Sequence, residues 1–284
     1  MPLKVTPVQR VSFYFSAHED DWQLFMNPAA FRDVRDGVKC IFVHVTAGDG
    51  GLGTGNGGRK HPYYLAREHG AESAIRFMAD AGEYPELADT ETTQPAHNGH
   101  AVRRVGYRNT AAYFLRLPDG SPEGTGYAET GSQSLTRLAG GQIATLTAID
   151  GTTAYRGWRD LVATLRAVID FERGQAAAAV LHVPELDPAL NPNDHPDHVM
   201  TAKLALAAAQ DLSGARLIHH LGYACGERPE NLNGYERDMK CAIYAVTLAA
   251  IQALDHATNW SHYDQSFVAR DYCRVEESGP ASKT

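Results

Sequence analysis

Cysteine is scarce in this chain of 284 residues: Cys40, Cys225, Cys241 and Cys273 are the only four, and none shares CxxC spacing. Neither a disulfide frame nor a Cys-type zinc site is expected, and the thiols read as reduced and cytoplasmic. No uninterrupted apolar run reaches the roughly 18 residues that a membrane-spanning helix needs, so no membrane insertion is expected. Met1 to Ser12 carries Lys4 and Arg10 but no apolar stretch leading to a small-residue cleavage site, so no secretory leader is read there. Basic runs are missing as well, and a formal net charge of −8 argues against nonspecific binding of nucleic acid or an anionic membrane surface. With no internal repeat, low-complexity tract or linker, residues 1–276 read as one domain and 277–284 as a disordered tail. The apolar pattern leaves no spare stripe that would specify an oligomeric state, so homo-oligomerisation stays open.

Against these absences, 43% hydrophobic and 21% charged residues suit a globular α/β enzyme with a sizeable core. Val8 to Ala17 is β-branched and aromatic and reads as a buried strand, followed by a helix over Trp22 to Asp36. Cys40 to Thr46 reads as a second strand, entering a glycine-rich loop from Ala47 to Arg59 and then a helix from Pro62 to Ala81. Later segments repeat the alternation: Val102 to Leu117 as one or two strands, Gly157 to Glu172 as an amphipathic helix, Ala179 to Val183 as a strand, Val199 to Asp211 as a helix. Leu217 to Tyr223 and Asp238 to Leu254 read as one more strand and helix. The expected fold is α/β, Rossmann-like and three-layered, with a mostly parallel central sheet and crossover helices.

Two histidine clusters lie where such a sheet places its chemistry, just past the carboxyl ends of buried strands. The first is Ala17-His18-Glu19-Asp20-Asp21. His18 and Asp21 are three apart, so a first helical turn puts a nitrogen and an oxygen ligand on one face and leaves Asp20 free for proton transfer. Taken alone, the same aspartates could simply cap the next helix. The second cluster is His195-Pro196-Asp197-His198, again at the front of a helix after a strand. Two histidines, a carboxylate and an open position for water make the usual catalytic zinc set, although an isolated pair at a helix start is commonplace.

In order and sequence the two clusters resemble the LmbE/PIG-L-like deacetylases, which carry an Ala-His-Pro-Asp-Asp-Glu motif after the first strand and a late His-x-x-His. Thr46 to Gly51 resembles that family's glycine-rich loop and Phe114 to Gly120 its mid-chain strand and turn, so the resemblance runs from about Val8 to Leu206. It implies that His18, Asp21 and His198 bind Zn2+, that Asp20 is the general base, that His195 faces the developing oxyanion and that Asp197 orients His195. Arg67 would match an arginine that holds the polar substrate. The implied reaction removes an acetyl or other small acyl group from the amide nitrogen of a soluble small molecule, by default an amino sugar. A His₂Asp set also accepts Fe2+ or another divalent ion. Two positions depart from the pattern: the family's proline is Glu19 here, and its glutamate is Trp22, which could wall the pocket.

A rival reading comes from Gly53-Thr54-Gly55-Asn56-Gly57-Gly58, which satisfies GxGxxG and would make the protein a nicotinamide-dinucleotide-dependent oxidoreductase. Its first glycine stands seven residues beyond Thr46, too far for the tight turn that the fingerprint needs straight off the strand. A non-catalytic metal-containing binding module is the third class, disfavoured because a pure binder needs neither Asp20 nor His195.

Overall fold

Strand β1 (Arg10–Ser16) buries every residue after Arg10, the pattern of a strand covered on both faces. Next to it β2 (Lys39–Thr46) is buried from Cys40 onward. The computed structural model describes residues 10–81, 88–258, 260 and 262–277. In chain order its other strands are β3 (Glu91–Thr93), β4 (Ala96–His97), β5 (His100–Ala101), β6 (Arg103–Tyr107), β7 (Thr110–Leu117), β8 (Thr145–Thr147), β9 (Ala154–Arg156), β10 (Ala178–Pro184), β11 (Ala215–His220) and β12 (Cys273–Glu277). The helices are α1 (Asp21–Phe25), α2 (Ala29–Arg35), α3 (Tyr63–Asp80), α4 (Leu135–Ala139), α5 (Gly157–Arg173), α6 (Pro196–Ala208), α7 (Gly234–Ala253) and α8 (His262–Val268).

Eight strands make one sheet in the order β12-β11-β10-β1-β2-β7-β6-β3. The central five, β11 to β7, are parallel, while β12 and β6 run antiparallel to their neighbours. Successive residues of a strand face opposite layers. Phe13, Phe15, Ile41 and Val43 therefore join Leu161, Leu165 and Ile169 of α5 and Leu204 of α6 on one face. Tyr14 and Phe42 join Phe31 and Val34 of α2, Ala74 and Met78 of α3 and Ile243 of α7 on the other. The result is the expected three-layer α/β arrangement with a mostly parallel sheet.

Three expectations need correction. The helix expected over Trp22 to Asp36 is two helices, because Pro28 offers no N–H to a continuing helix and its ring crowds the preceding turn. Asn27 restarts the chain by accepting the Phe31 N–H at 3.1 Å. Strand β12 was not expected at all, and Glu277, assigned to the tail, pairs with Arg216 at its end. The rest of the expected tail, 278–284, lies outside the described residues.

Candidate active site

From β1 the chain passes by α1 and α2 to β2 on one side, whereas from β10 it passes by α6 to β11 on the other. The adjacent strands β1 and β10 thus flank the point where the winding reverses, and a crevice opens there at the carboxyl ends. The end of β1 delivers His18 to Asp21. The loop after β10 delivers His195, which occupies the N-cap of α6 and accepts the Asp197 N–H on Nδ1 at 3.2 Å. The two histidine clusters, far apart in sequence, meet across this crevice: the rings of His18 and His195 stand 4.9 Å apart and those of His18 and His198 5.3 Å.

Three of the predicted residues converge on one point. Asp21 Oδ1 lies 3.2 Å from His198 Nε2 and 3.6 Å from His18 Nδ1. The other carboxylate oxygen, Oδ2, accepts the His18 N–H at 2.8 Å, which fixes the rotamer. All three side chains are buried, and His198 Nε2 has no hydrogen-bond partner. Ligands about 2.0–2.1 Å from a tetrahedral zinc stand roughly 3.3 Å from one another, so these separations and this donor set fit the ion. Burial alone would lower His198, but the Asp21 and Asp194 carboxylates outweigh it and raise it to about 10. Burial would likewise raise Asp21, yet His198 and His18 hold it well below the usual carboxylate range.

Asp20 sits at the N-cap of α1 but makes no capping bond there. Its Oδ1 meets the Arg67 guanidinium instead, so the helix-cap alternative does not describe it. Arg67, expected to hold substrate, also pairs through Nε with Glu19 Oε2 at 3.0 Å and donates to the Gly48 carbonyl at 3.3 Å. Glu19 is 1% exposed, and burial pushes its carboxyl up to about 8 against the pull of Arg67. Gly48 has φ +48°, and a Cβ there would fall 2.6 Å from Glu19 Oε2, so glycine alone allows this approach. Trp22 does not wall the pocket: it is fully buried in the core with its ring 4.7 Å from Phe42.

The Asp197 carboxylate is not where a partner for His195 should be. Its Oδ2 lies 3.9 Å from His195 Nδ1, beyond hydrogen-bond reach, and His195 is met by the Asp197 backbone instead. Oδ2 accepts the Gly120 N–H at 2.8 Å and stands 3.6 Å from His18 Nε2, on the far side of the His18 ring from Asp21. His198 has an equivalent neighbour in Asp194, whose Oδ1 lies 2.9 Å from Nδ1. Asp194 escapes sequence reasoning because it ends a polar, proline-containing loop; its place four residues before His198 was the available signal. Asp119 was also missed. Read as a turn residue, it brings Oδ2 to 3.9 Å from His18 Nε2 and lines the same cavity. Buried Asp49 holds that turn, accepting the Asp119 N–H at 3.0 Å and the Gly53 N–H at 2.8 Å.

The cavity is lined by His18, Asp20, Asp21, Phe25, Asp119, His195 and Tyr223 among others. A second hollow, bordered by Tyr63, Tyr244 and Ile251, adjoins it and shares Asp20 and Arg67. The GxGxxG segment lines neither: it ends at Gly58, and α3 begins only at Tyr63. No described helix is long and apolar enough to cross a membrane.

Comparison with curated proteins finds no match. Among solved structures the chain is similar to an N,N'-diacetylchitobiose deacetylase from Pyrococcus horikoshii, at 16% identity over 85% of this chain and 70% of that one, with TM-score 0.48. It is also similar to the teicoplanin deacetylase Orf2 in a zinc-inhibited form, at 15% identity over 90% of each chain and TM-score 0.45. A third is GalB, the 4-carboxy-2-hydroxymuconate hydratase from Pseudomonas putida, at 14% identity over 91% of this chain and 82% of that one, with TM-score 0.44. The family model described as GlcNAc-PI de-N-acetylase, PIG-L, matches residues 13–209, which take in both histidine clusters, the second half of β1 and every strand from β2 to β10. That span is well over half of the sequence, and the chain belongs to the PIG-L family.

Proposed function

We propose that the protein is a metal-dependent hydrolase that removes an acetyl or other small acyl group from the amide nitrogen of a small molecule, an amino sugar or related conjugate. The observation that carries this reading is the convergence of His18, Asp21 and His198, buried and spaced as ligands, beside a carboxylate that none of them uses. These three residues would hold the ion, zinc or another divalent cation such as iron(II). When bound, it supplies Lewis acidity toward water and the amide carbonyl.

The remaining steps belong to side chains of this chain. Arg67 holds the rotamer of Asp20 at the cavity wall, where the carboxylate accepts a proton from the attacking water. The water oxygen bonds to the carbonyl carbon, the C–N bond breaks, and the proton held by Asp20 passes to the departing nitrogen, giving a free amine and a carboxylic acid. His195 serves as the oxyanion donor. Its Nδ1 accepts from the Asp197 backbone, so the ring proton resides on Nε2; burial, together with His18 and His198, lowers its pKa and favours this neutral form. One donor of this kind lowers the barrier by about 3 kcal/mol. Asp197, held by the Gly120 N–H, faces His18 rather than His195 and places its carboxylate 3.6 Å from the His18 Nε2. Release of amine from a panel of N-acetyl sugars and N-acetyl cysteine conjugates by zinc-loaded protein, with Asp20→Ala as control, tests the proposal. Turnover in wild type and its loss in Asp20→Ala support it; no turnover on any member, or equal turnover in the variant, counts against it.

A further inference from the structure

We propose that His220, Asp271 and Cys273 form a second cation site, for Zn2+ or another thiol-binding divalent ion, separate from the His18, Asp21 and His198 set and clamping β12 to β11. His220 and Cys273 are direct partners in the antiparallel ladder, and Asp271 precedes Cys273 by two residues. One potential ligand atom from each of the three lies within 4.8 Å of the others.

The decisive feature is what the buried imidazole lacks. The His220 side chain is 0% exposed, and its Nδ1 makes no hydrogen bond. Asp271 Oδ1 is equally without a hydrogen-bond partner and stands 3.5 Å away, longer than the 2.7–3.2 Å of an N–H···O bond. That distance is close to the roughly 3.3 Å edge of a tetrahedral zinc site with nitrogen and oxygen ligands. It falls within the 3.2–3.6 Å found among His18, Asp21 and His198.

The opposite nitrogen of His220 is correctly supported. Nε2 lies 2.9 Å from His182 Nδ1, within reach for the His220 ring N–H to donate to it. A ligating histidine needs such an acceptor for its other N–H. Nearby Lys240 is occupied with the Arg270 carbonyl at 2.5 Å and Arg274 with Glu185 at 2.6 Å, so neither cation fills the gap between Nδ1 and Oδ1. Cys273 is exposed and closes the set from the solvent side, where water completes four ligands. Binding transfers the Cys273 thiol proton to solvent, and the thiolate takes the ion.

Cobalt(II) titration of chelator-stripped, full-length protein separates this site from the crevice, because the His18, Asp21 and His198 set contains no sulfur. The expected result is a near-ultraviolet thiolate-to-cobalt absorption with the amplitude of one thiolate–cobalt bond per chain, complete by two equivalents because the crevice takes the other. It persists in His198→Ala and Cys225→Ser, disappears in Cys273→Ser, and needs at least tenfold more cobalt in Asp271→Asn. Cys273 is exposed, so its serine variant keeps the fold. Absence of the absorption in wild type, its survival in Cys273→Ser or its loss in Cys225→Ser overturns the proposal without touching the assignment of the crevice.

Discussion

Replacing Asp194 by asparagine should weaken metal binding at the crevice about tenfold while leaving the fold intact. Asp194 touches no substrate surface; its effect runs through His198. The contact is 2.9 Å long between side chains that are 2% and 1% exposed, so solvent screens it little. A hydrogen bond to an ionised group contributes about 1.5–3 kcal/mol, and a neutral one about half as much. Asparagine keeps the size and, with its oxygen turned to His198, one acceptor, while its amide replaces the oxygen that Asn191 uses; the charge lost at His198 makes a difference of about 1–1.5 kcal/mol, which is roughly tenfold in affinity. Alanine is the harsher test, since it strands both His198 Nδ1 and Asn191 Nδ2, which donates to Asp194 Oδ2 at 2.7 Å. Each buried orphan adds about 1–3 kcal/mol. The assay is competition against a chromophoric chelator, performed in a Cys273→Ser background so that the crevice is counted by itself. Unchanged affinity in Asp194→Asn, or a complete loss equal to that of His198→Ala, would refute the reasoning.

Other perturbations have separable signatures. Arg67→Gln should keep the metal but lower kcat by roughly tenfold or more, because Asp20 loses the partner that fixes it; misplacement of a reacting group by about 1 Å can cost 10²-fold. An unchanged kcat with raised KM would return Arg67 to substrate binding alone. Leu181→Ala, at a fully buried position in β10, should cost about 2–5 kcal/mol in denaturant unfolding, and a loss below 1 kcal/mol would contradict the packing described. Glu172 offers a pH test. Burial would raise its pKa, but Arg104, Lys39 and Tyr113 outweigh this and lower it. Its stabilisation is therefore fully present above the ordinary glutamate range near 4.3 and lost as pH falls through the depressed folded value. Glu172→Gln should be destabilised by up to about 3 kcal/mol at pH 7, the partners being partly exposed, with the gap to wild type closing in acid. A gap that widens in acid contradicts the sign.

The sequence made the site readable because its principal residues are tied to strand ends. Buried strands betray themselves by composition, and His18, Asp20 and Asp21 come directly after one. His195 and His198 share the first turn of a helix after another. What composition does not encode is which carboxylate each histidine meets across the crevice. Asp197 lies two residues from His195, yet its carboxylate turns to His18 and Gly120. Asp119 and Asp194 looked like turn and loop residues because that is their local role; their second role arises only when β10 is placed beside β1 and β7 beside β2. Glu19 was legible as a departure from the family but not as the partner of Arg67, nearly 50 residues away. The break at Pro28 carried a local signal that helical periodicity overrode. Strand β12 had little of its own: half-exposed and charged, it is a strand because β11 offers an edge.

The most direct test of the central claim is the initial rate of amine release from an N-acetyl substrate by Asp20→Asn at full metal loading of the crevice. Asp20 is not among the converging ligands, so the account predicts that metal content stays at the wild-type level while the rate falls by 10² or more, the scale of general-base catalysis. A variant that hydrolyses the substrate as fast as wild type, or that fails because it no longer holds the metal, would contradict it.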